Sequence, residues 1–133
     1  MIKLKELLAK DLWRHAVKKS DHGQIAAFLV NHYKLRSKIK FVPASNTKAD
    51  YIPETDLINL RKTSNIKDFI ITVLHEIKHA LDAKNLGKRK FIKKYNQAGT
   101  MAAHGSLDPH DDNKWEIRAE RWANLEYKKW KSY

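Results

Sequence analysis

The residues with the clearest chemical potential form one short run, His75-Glu76-Ile77-Lys78-His79. Residues four apart in an α-helix lie one turn above one another on the same face, so the two imidazoles could bind one metal ion. Glu76, beside the first histidine, flanks such a site and can take a proton from a metal-bound water. The run therefore predicts a metal centre with a general base next to it.

A catalytic zinc site needs a third protein ligand and one position open to water. A metzincin would supply a later histidine on the same helix, but Asn85 occupies that position, and Asp82 stands where the metzincin pattern has glycine. Two sources are left: His104 or His110 in a later polar segment, and Glu116 near the end of the chain. We favour Glu116, because a helix holds a ligand more tightly than a long loop does.

A second carboxylate follows Glu116 on the same helix face. Glu116 and Glu120 are four residues apart and share that face with Ala123 and Tyr127. Such a pair can divide the work, with Glu116 binding the metal and Glu120 orienting a ligating imidazole from outside the coordination sphere. The alternative is two solvated carboxylates that pair with Lys or Arg.

The metal-binding run requires a helix around it, and the sequence predicts one over residues 66–86. Asn65 is a suitable N-cap, with Asp68 three residues later to complete a capping box. Gly87 is a typical residue to end the helix. Between these ends, apolar residues recur at helical spacing: Phe69, Ile70, Val73, Leu74, Ile77, Ala80 and Leu81.

Shorter elements precede this helix. The sequence predicts a first helix to about residue 19, a turn at residues 20–23, and a second helix over about residues 24–33. Short runs at residues 39–42, 51–52 and 57–60 are typical of strands. The first helix carries an expected apolar stripe: Leu4, Leu8, Leu12, Trp13, Ala16 and Val17.

After the central helix, the sequence predicts a short basic helix at residues 88–94, a polar loop over about residues 99–113, and a last helix. The last helix carries an apolar set: Trp115, Ala119, Trp122, Ala123 and Trp130. The chain shows no repeat, linker or low-complexity stretch. We expect one α+β domain spanning residues 1–133.

Composition narrows the classes of protein. The 133 residues include 27 Lys+Arg, 15 Asp+Glu and no Cys, which gives a net charge of +12. The lack of cysteine excludes a disulfide framework, a thiolate nucleophile and a cysteine-ligated metal site. The longest apolar stretch, residues 69–74, is too short to cross a bilayer, and no signal segment is visible. We expect a cytoplasmic monomer with no membrane partner.

The surplus positive charge favours an anionic partner. Residues 84–94 include six basic residues and no acidic one. Nucleic acid is one such partner, and a solvated lysine face is the alternative. Trp130, flanked by lysines, is a candidate base-stacking residue, whereas the other tryptophans fall on apolar faces. The candidate nucleic-acid-binding residues are Lys88, Arg89, Lys90, Lys93 and Lys94.

The two motifs together resemble a known family. His75-Glu76-x-x-His79 followed by a helix with Glu116 and Glu120 is similar to the gluzincin pattern, most closely to the small ImmA/IrrE-like metallopeptidase domain. Members of that family carry an E-x-E-A-N-x-F-A-like signature in the third-ligand helix. Three positions of this chain depart from it, with Arg118 for the second Glu, Glu120 for the Asn and Trp122 for the Phe. The resemblance covers residues 58–123.

The resemblance implies a compact zincin-like domain. A short twisted sheet would lie above a Zn²⁺ ion, with residues 56–60 as its edge strand, and the motif helix would lie below. A peptide substrate would add to the edge strand through main-chain hydrogen bonds. Zinc would activate a water molecule, and Glu76 would act as the general base. A further donor to the oxyanion is implied, with four candidates: Tyr95, His104, His110 and Tyr127.

Other functions stay open at this point. A SprT-like, DNA-linked protease would use a later histidine, and His104-Gly105 has a faint likeness to its His-Gly pair. A basic nucleic-acid-associated protein with a structural metal is another alternative. A third is a regulatory protein that cleaves a single target, as an ImmA-like antagonist of a repressor would. The resemblance also implies a bacteriophage-type protein.

Overall fold

The computed structural model describes residues 4–43 and 49–133, with side chains described from residue 8 onward. Within these ranges the chain is α+β, as the sequence predicts. The helices are α1 (Leu4–Lys18), α2 (His22–His32), α3 (Ile66–Leu86), α4 (Lys88–His104) and α5 (Lys114–Lys131). The strands are β1 (Lys38–Phe41), β2 (Asp50–Ile52) and β3 (Leu57–Leu60).

Capping residues fix both ends of the central helix α3. The Asn65 side chain accepts a hydrogen bond from the Asp68 amide at 3.1 Å, which caps the first turn. Gly87 closes the helix with φ of +90°, a backbone conformation that side-chain-bearing residues rarely adopt. Because α4 begins at the next residue, this single glycine forms the corner between the two helices.

The sheet has the order β1-β3-β2. β3 runs parallel to β1 and antiparallel to β2. The prediction that residues 56–60 form the edge strand is therefore wrong, because β3 is paired on both sides. Ile58 and Leu60 of β3 are fully buried in the core, which favours the central position. β2 is the edge strand beside the motif helix.

The main core lies between α3, the sheet, α2 and α5. Its fully buried side chains include Phe69, Val73, Leu74 and Ile77 of α3, and Ala123 of α5 lies in the same cluster. This packing holds α5 along α3, and so fixes the two helices that carry the candidate ligands.

The predicted stripe on α1 is wrong in part. Leu8 and Leu12 are 54% and 65% exposed, whereas Trp13 and Ala16 are each 2% exposed. The Trp13 ring packs 4.8 Å from the ring of Trp130, and this contact turns the leucines toward solvent. The side chain of Leu4 lies outside the described residues.

Trp130 is a core residue rather than a base-stacking platform. It is 4% exposed, and its indole Nε1 donates a hydrogen bond to the Tyr33 hydroxyl at 3.0 Å. A buried, hydrogen-bonded indole has no face left for a nucleotide.

Helix α4 is longer than predicted, and the loop after it is shorter. The helix continues through Gly99 to His104, so only residues 105–113 form the loop. Ala98 and Ala102 are buried one turn apart, which extends the packed face of the helix. At Gly99 a Cβ atom would lie 3.2 Å from the Pro109 carbonyl oxygen, so glycine lets the loop pack closely against the helix.

Helix α2 begins earlier than predicted. Asp21 caps it by accepting from the Gln24 amide at 3.0 Å, and Gly23 lies inside the first turn. None of the described helices combines the length and hydropathy that a bilayer crossing requires.

Candidate metal centre

Three side chains from two helices converge at one point. His75 and His79 come from the middle of α3, and Glu116 comes from the first turn of α5. Glu116 Oε1 lies 2.7 Å from His75 Nε2 and 2.8 Å from His79 Nε2. One potential ligand atom from each residue lies within 4.8 Å of the others. This group could hold a metal ion.

The three side chains are more buried than those of an ordinary ion pair on the protein surface. His79 is 4% exposed and Glu116 is 8% exposed. Burying a carboxylate and two imidazoles is costly unless they are well partnered. Burial alone would raise the pKa of Glu116, but hydrogen bonds from His75 and His79 hold it well below its ordinary range. The carboxylate is therefore ionised and ready to bind a cation.

The donor set and its surroundings fit zinc. Two imidazoles and one carboxylate form one of the common protein ligand sets of catalytic zinc, which keeps a further position open. His75 Nδ1 lies 2.8 Å from Glu120 Oε2, so a proton on Nδ1 would leave Nε2 free to ligate. His79 Nδ1 is buried and has no hydrogen-bond partner among the described residues. The polar contact of this imidazole is made by Nε2, which faces Glu116 Oε1.

His75 contacts a carboxylate through each ring nitrogen. Burial lowers its pKa, but the hydrogen bonds to Glu116 and Glu120 and the charge of Glu76 outweigh that effect and raise it to about 9. The surroundings of His75 therefore favour its protonated form, and ligation through Nε2 would require that nitrogen to lose its proton.

Glu76 lies at the base of the cleft and is 5% exposed. Burial raises its pKa to about 8, and the carboxylates of Glu116, Asp50 and Glu120 add to the shift against the opposing charge of His75. A carboxyl group with a pKa near neutrality is well suited to take and return a proton.

The ligands open into a cleft of about 870 Å³. One wall is β2 and the turn after it, and the opposite walls are α4 and α5. Residues that line these walls include Asp50, Tyr51, Glu54, Ile92, Ile117 and Arg121.

Two of the four predicted oxyanion candidates line the cleft. The Tyr95 hydroxyl donates to Glu116 Oε2. His110 Nε2 lies 3.2 Å from the same oxygen, and the side chain is 59% exposed. Burial, followed by the hydrogen bond to Glu116, raises the pKa of Tyr95 above its ordinary range, so the hydroxyl keeps its proton.

The other two candidates lie elsewhere. His104 is exposed at the C-terminal end of α4, outside the lining of the cleft. Tyr127 packs against the main core, with Lys67 Nζ 5.7 Å from its ring centroid. Among the described histidines, His110 is the loop residue that approaches the ligand group, and it does so through Glu116.

The predicted basic residues lie together on the solvent side of α4. Lys88, Arg89, Lys90, Lys93 and Lys94 are all exposed. Lys88 Nζ donates to the backbone carbonyl of Glu54 at 3.2 Å, which brings the start of this basic face to the rim of the cleft.

Sequence reasoning missed Asn113 as a supporting residue. Its side chain is fully buried, accepts a hydrogen bond from the Trp115 amide at 2.9 Å and donates one to the Tyr95 carbonyl oxygen at 3.0 Å. An asparagine directly before an amphipathic helix is an N-cap signal, which could have revealed the first of these contacts.

Comparison with protein families, with curated proteins and with solved structures finds no significant match to this chain.

Proposed function

We propose that this protein is a zinc-dependent metallopeptidase of gluzincin type. The observation that carries the proposal is the convergence of His75, His79 and Glu116 at the base of an open cleft, with Glu76 beside them. A helix that supplies two ligands and a general base, and a second helix that supplies the carboxylate, are the parts such an enzyme needs.

Each residue of the site has a distinct role in this proposal. Zinc, when bound, would polarise the scissile carbonyl and lower the pKa of a water molecule. Glu76 would accept the proton of the attacking water and return it to the leaving amine. Glu120 would keep His75 in the orientation that ligation requires. His110 would offer a donor to the carbonyl oxygen as negative charge develops there.

The cleft suggests how a peptide would bind. Among the described strands β2 pairs only with β3, so its other edge is unpaired, and Asp50 and Tyr51 of β2 line the cleft. An extended substrate could add to β2 through main-chain hydrogen bonds, which would position its backbone with little regard to sequence. This assigns to β2 the role that the resemblance gave to residues 56–60.

The test combines metal content with cleavage of an unstructured peptide library by the purified protein. We expect about one zinc per chain in the wild type, loss of zinc in His79→Ala, and retention of zinc without cleavage in Glu76→Gln. His104→Ala is the matched control, because this histidine lies outside the cleft, and it should keep both properties.

Two results would contradict the proposal. A wild-type protein that binds no zinc would remove the metal centre. A Glu76→Gln variant that cleaves peptides at the wild-type rate would show that the activity does not arise at this site.

A second candidate function is association with nucleic acid through α4, whether or not the metal is catalytic. The observation that favours it is the charge distribution: α4 has five exposed basic residues in its first seven positions and no acidic residue along its length. Positive charge at a helix N-terminus opposes the helix dipole and destabilises the helix. A phosphate backbone along this face would neutralise the repulsion.

A further inference from the structure

We propose that Tyr95 is a positioning residue that commits the Glu116 carboxylate to bind the metal through Oε1 alone. The inference rests on the metal centre of the proposed function. In this role Tyr95 of α4 holds Glu116 of α5 in place and does not donate a hydrogen bond to the substrate.

The two oxygens of Glu116 have different partners. Oε1 lies between the Nε2 atoms of His75 and His79, at 2.7 Å and 2.8 Å. Oε2 accepts the Tyr95 hydroxyl. A carboxylate oxygen occupied by a strong hydrogen bond is a poor second ligand, so this contact favours binding through one oxygen and leaves room for water and substrate.

The tyrosine is itself held in place from two sides. Its ring packs edge-on against His79, with ring centroids 6.1 Å apart, and tilted against Phe91 at 6.0 Å. Its backbone carbonyl oxygen accepts the side chain of Asn113, which also caps the helix that begins just before Glu116. The hydroxyl and the carboxylate are thus connected through packed groups as well as through their own contact.

His110 is the competing partner of Oε2 and is the weaker one. Its Nε2 atom lies 3.2 Å from Oε2, and the side chain is 59% exposed on the loop between α4 and α5. Its Nδ1 atom lies 3.0 Å from Asp111 Oδ1, so part of its hydrogen-bonding capacity is directed away from the ligand. We therefore expect Tyr95 to determine the position of Oε2.

The test measures metal affinity without reference to catalysis. Tyr95→Phe should weaken Zn²⁺ binding, measured by competition with a chelator, by about 10- to 100-fold, the usual effect of losing a hydrogen bond to a ligand. The Co²⁺ form should lose visible absorption intensity as Oε2 becomes a second ligand and the coordination number rises. Tyr127→Phe, a half-buried tyrosine outside the cleft, should change neither measurement.

A wild-type protein that binds no metal would refute the metal centre and, with it, the proposed function. A wild type that binds zinc, together with a Tyr95→Phe variant of equal affinity and equal Co²⁺ spectrum, would overturn the positioning role alone. A Tyr95→Phe variant that cleaves peptides slowly with unchanged metal affinity would also overturn it, because the hydroxyl would then act on the substrate.

A double-mutant cycle in the metal-free protein tests the contact itself. Tyr95→Phe and Glu116→Ala, which each remove one partner of the hydrogen bond, should each lower the thermal midpoint, and the double variant should lose less than the sum of the two losses. Strictly additive losses would show that the two side chains do not interact and would overturn the proposal.

Discussion

Glu76 is a carboxyl group whose surroundings favour its protonated form. Burial and the neighbouring carboxylates raise its pKa to about 8 from an ordinary value of 4.5. This is a cost that a buried general base imposes on the folded state, since the ionised form is poorly solvated in the cleft. Bound metal would reduce the cost by placing positive charge beside the carboxylate.

The raised pKa of Glu76 predicts a pH-dependent stability. Between pH 4.5 and pH 8 the folded state holds a proton on Glu76 that the unfolded state has lost, so stability falls as pH rises across this window. In the presence of a chelator, the free energy of unfolding of Glu76→Gln at pH 8.5 should therefore exceed that of the wild type by roughly a few kcal/mol. The difference should shrink toward zero near pH 4. Urea unfolding at the two pH values measures it.

Glu54→Gln is the control for this prediction, because Glu54 also lines the cleft but is exposed. Its stability should follow that of the wild type at both pH values. A Glu76→Gln variant whose advantage is equal at pH 4 and pH 8.5 would show that the effect comes from packing rather than from ionisation.

At the scale of elements, the site depends on how three helices meet. Gly87 turns the chain directly from α3 into α4, so that the ring of Tyr95 packs against His79 of α3. Asn113 then joins α4 to the first turn of α5 through one hydrogen bond in each direction. The position of Glu116 is the result of both junctions.

Asn113→Ala should be strongly destabilising for its size. It removes an N-cap, worth about 1 kcal/mol, and leaves the Tyr95 carbonyl without its side-chain partner, which adds about 1–3 kcal/mol. We expect the free energy of unfolding to fall by about 2–4 kcal/mol in urea titration. The matched variant Asn65→Ala removes the exposed N-cap of α3 and should cost only about 1 kcal/mol. Equal losses would show that the contact with Tyr95 contributes nothing.

At the scale of the whole molecule, charge is unevenly distributed. The chain has a net charge of +12, yet the cleft is lined by six acidic side chains and only two arginines: Asp50, Glu54, Glu76, Asp111, Glu116 and Glu120, with Arg61 and Arg121. The basic face of α4 meets this acidic cleft where Lys88 contacts the Glu54 backbone. A polyanion bound along α4 would therefore lie next to the cleft rather than inside it.

Charge-reversal variants can distinguish DNA binding through the basic face of α4 from DNA binding through the net positive charge of the protein. Lys90, Lys93 and Lys94 changed together to Glu should weaken binding to duplex DNA and lower the slope of log affinity against log salt by about 2–3. The control changes Lys18, Lys19 and Lys128 to Glu, which are exposed cations outside α4, and alters the net charge equally. Equal losses in both variants, or wild-type binding that does not depend on salt, would remove the nucleic-acid function.

The local features of this protein can be predicted from its sequence. The two histidines share a helix face, Glu116 and Glu120 share another, and α3 begins and ends at Asn65 and Gly87, because helical periodicity and capping act within a few residues. These features predicted the α+β class and drew attention to the residues that the structure brings together.

Which distant segments of the chain contact one another is visible only in the tertiary structure. Glu116, 37 residues beyond His79, reaches the histidines, whereas His104 does not. β2 rather than β3 borders the cleft, and Tyr95 rather than Tyr127 contacts the ligand carboxylate. These contacts depend on which buried faces pack together. The packing energy comes from residues that are far apart in the chain, so no local sequence pattern predicts it.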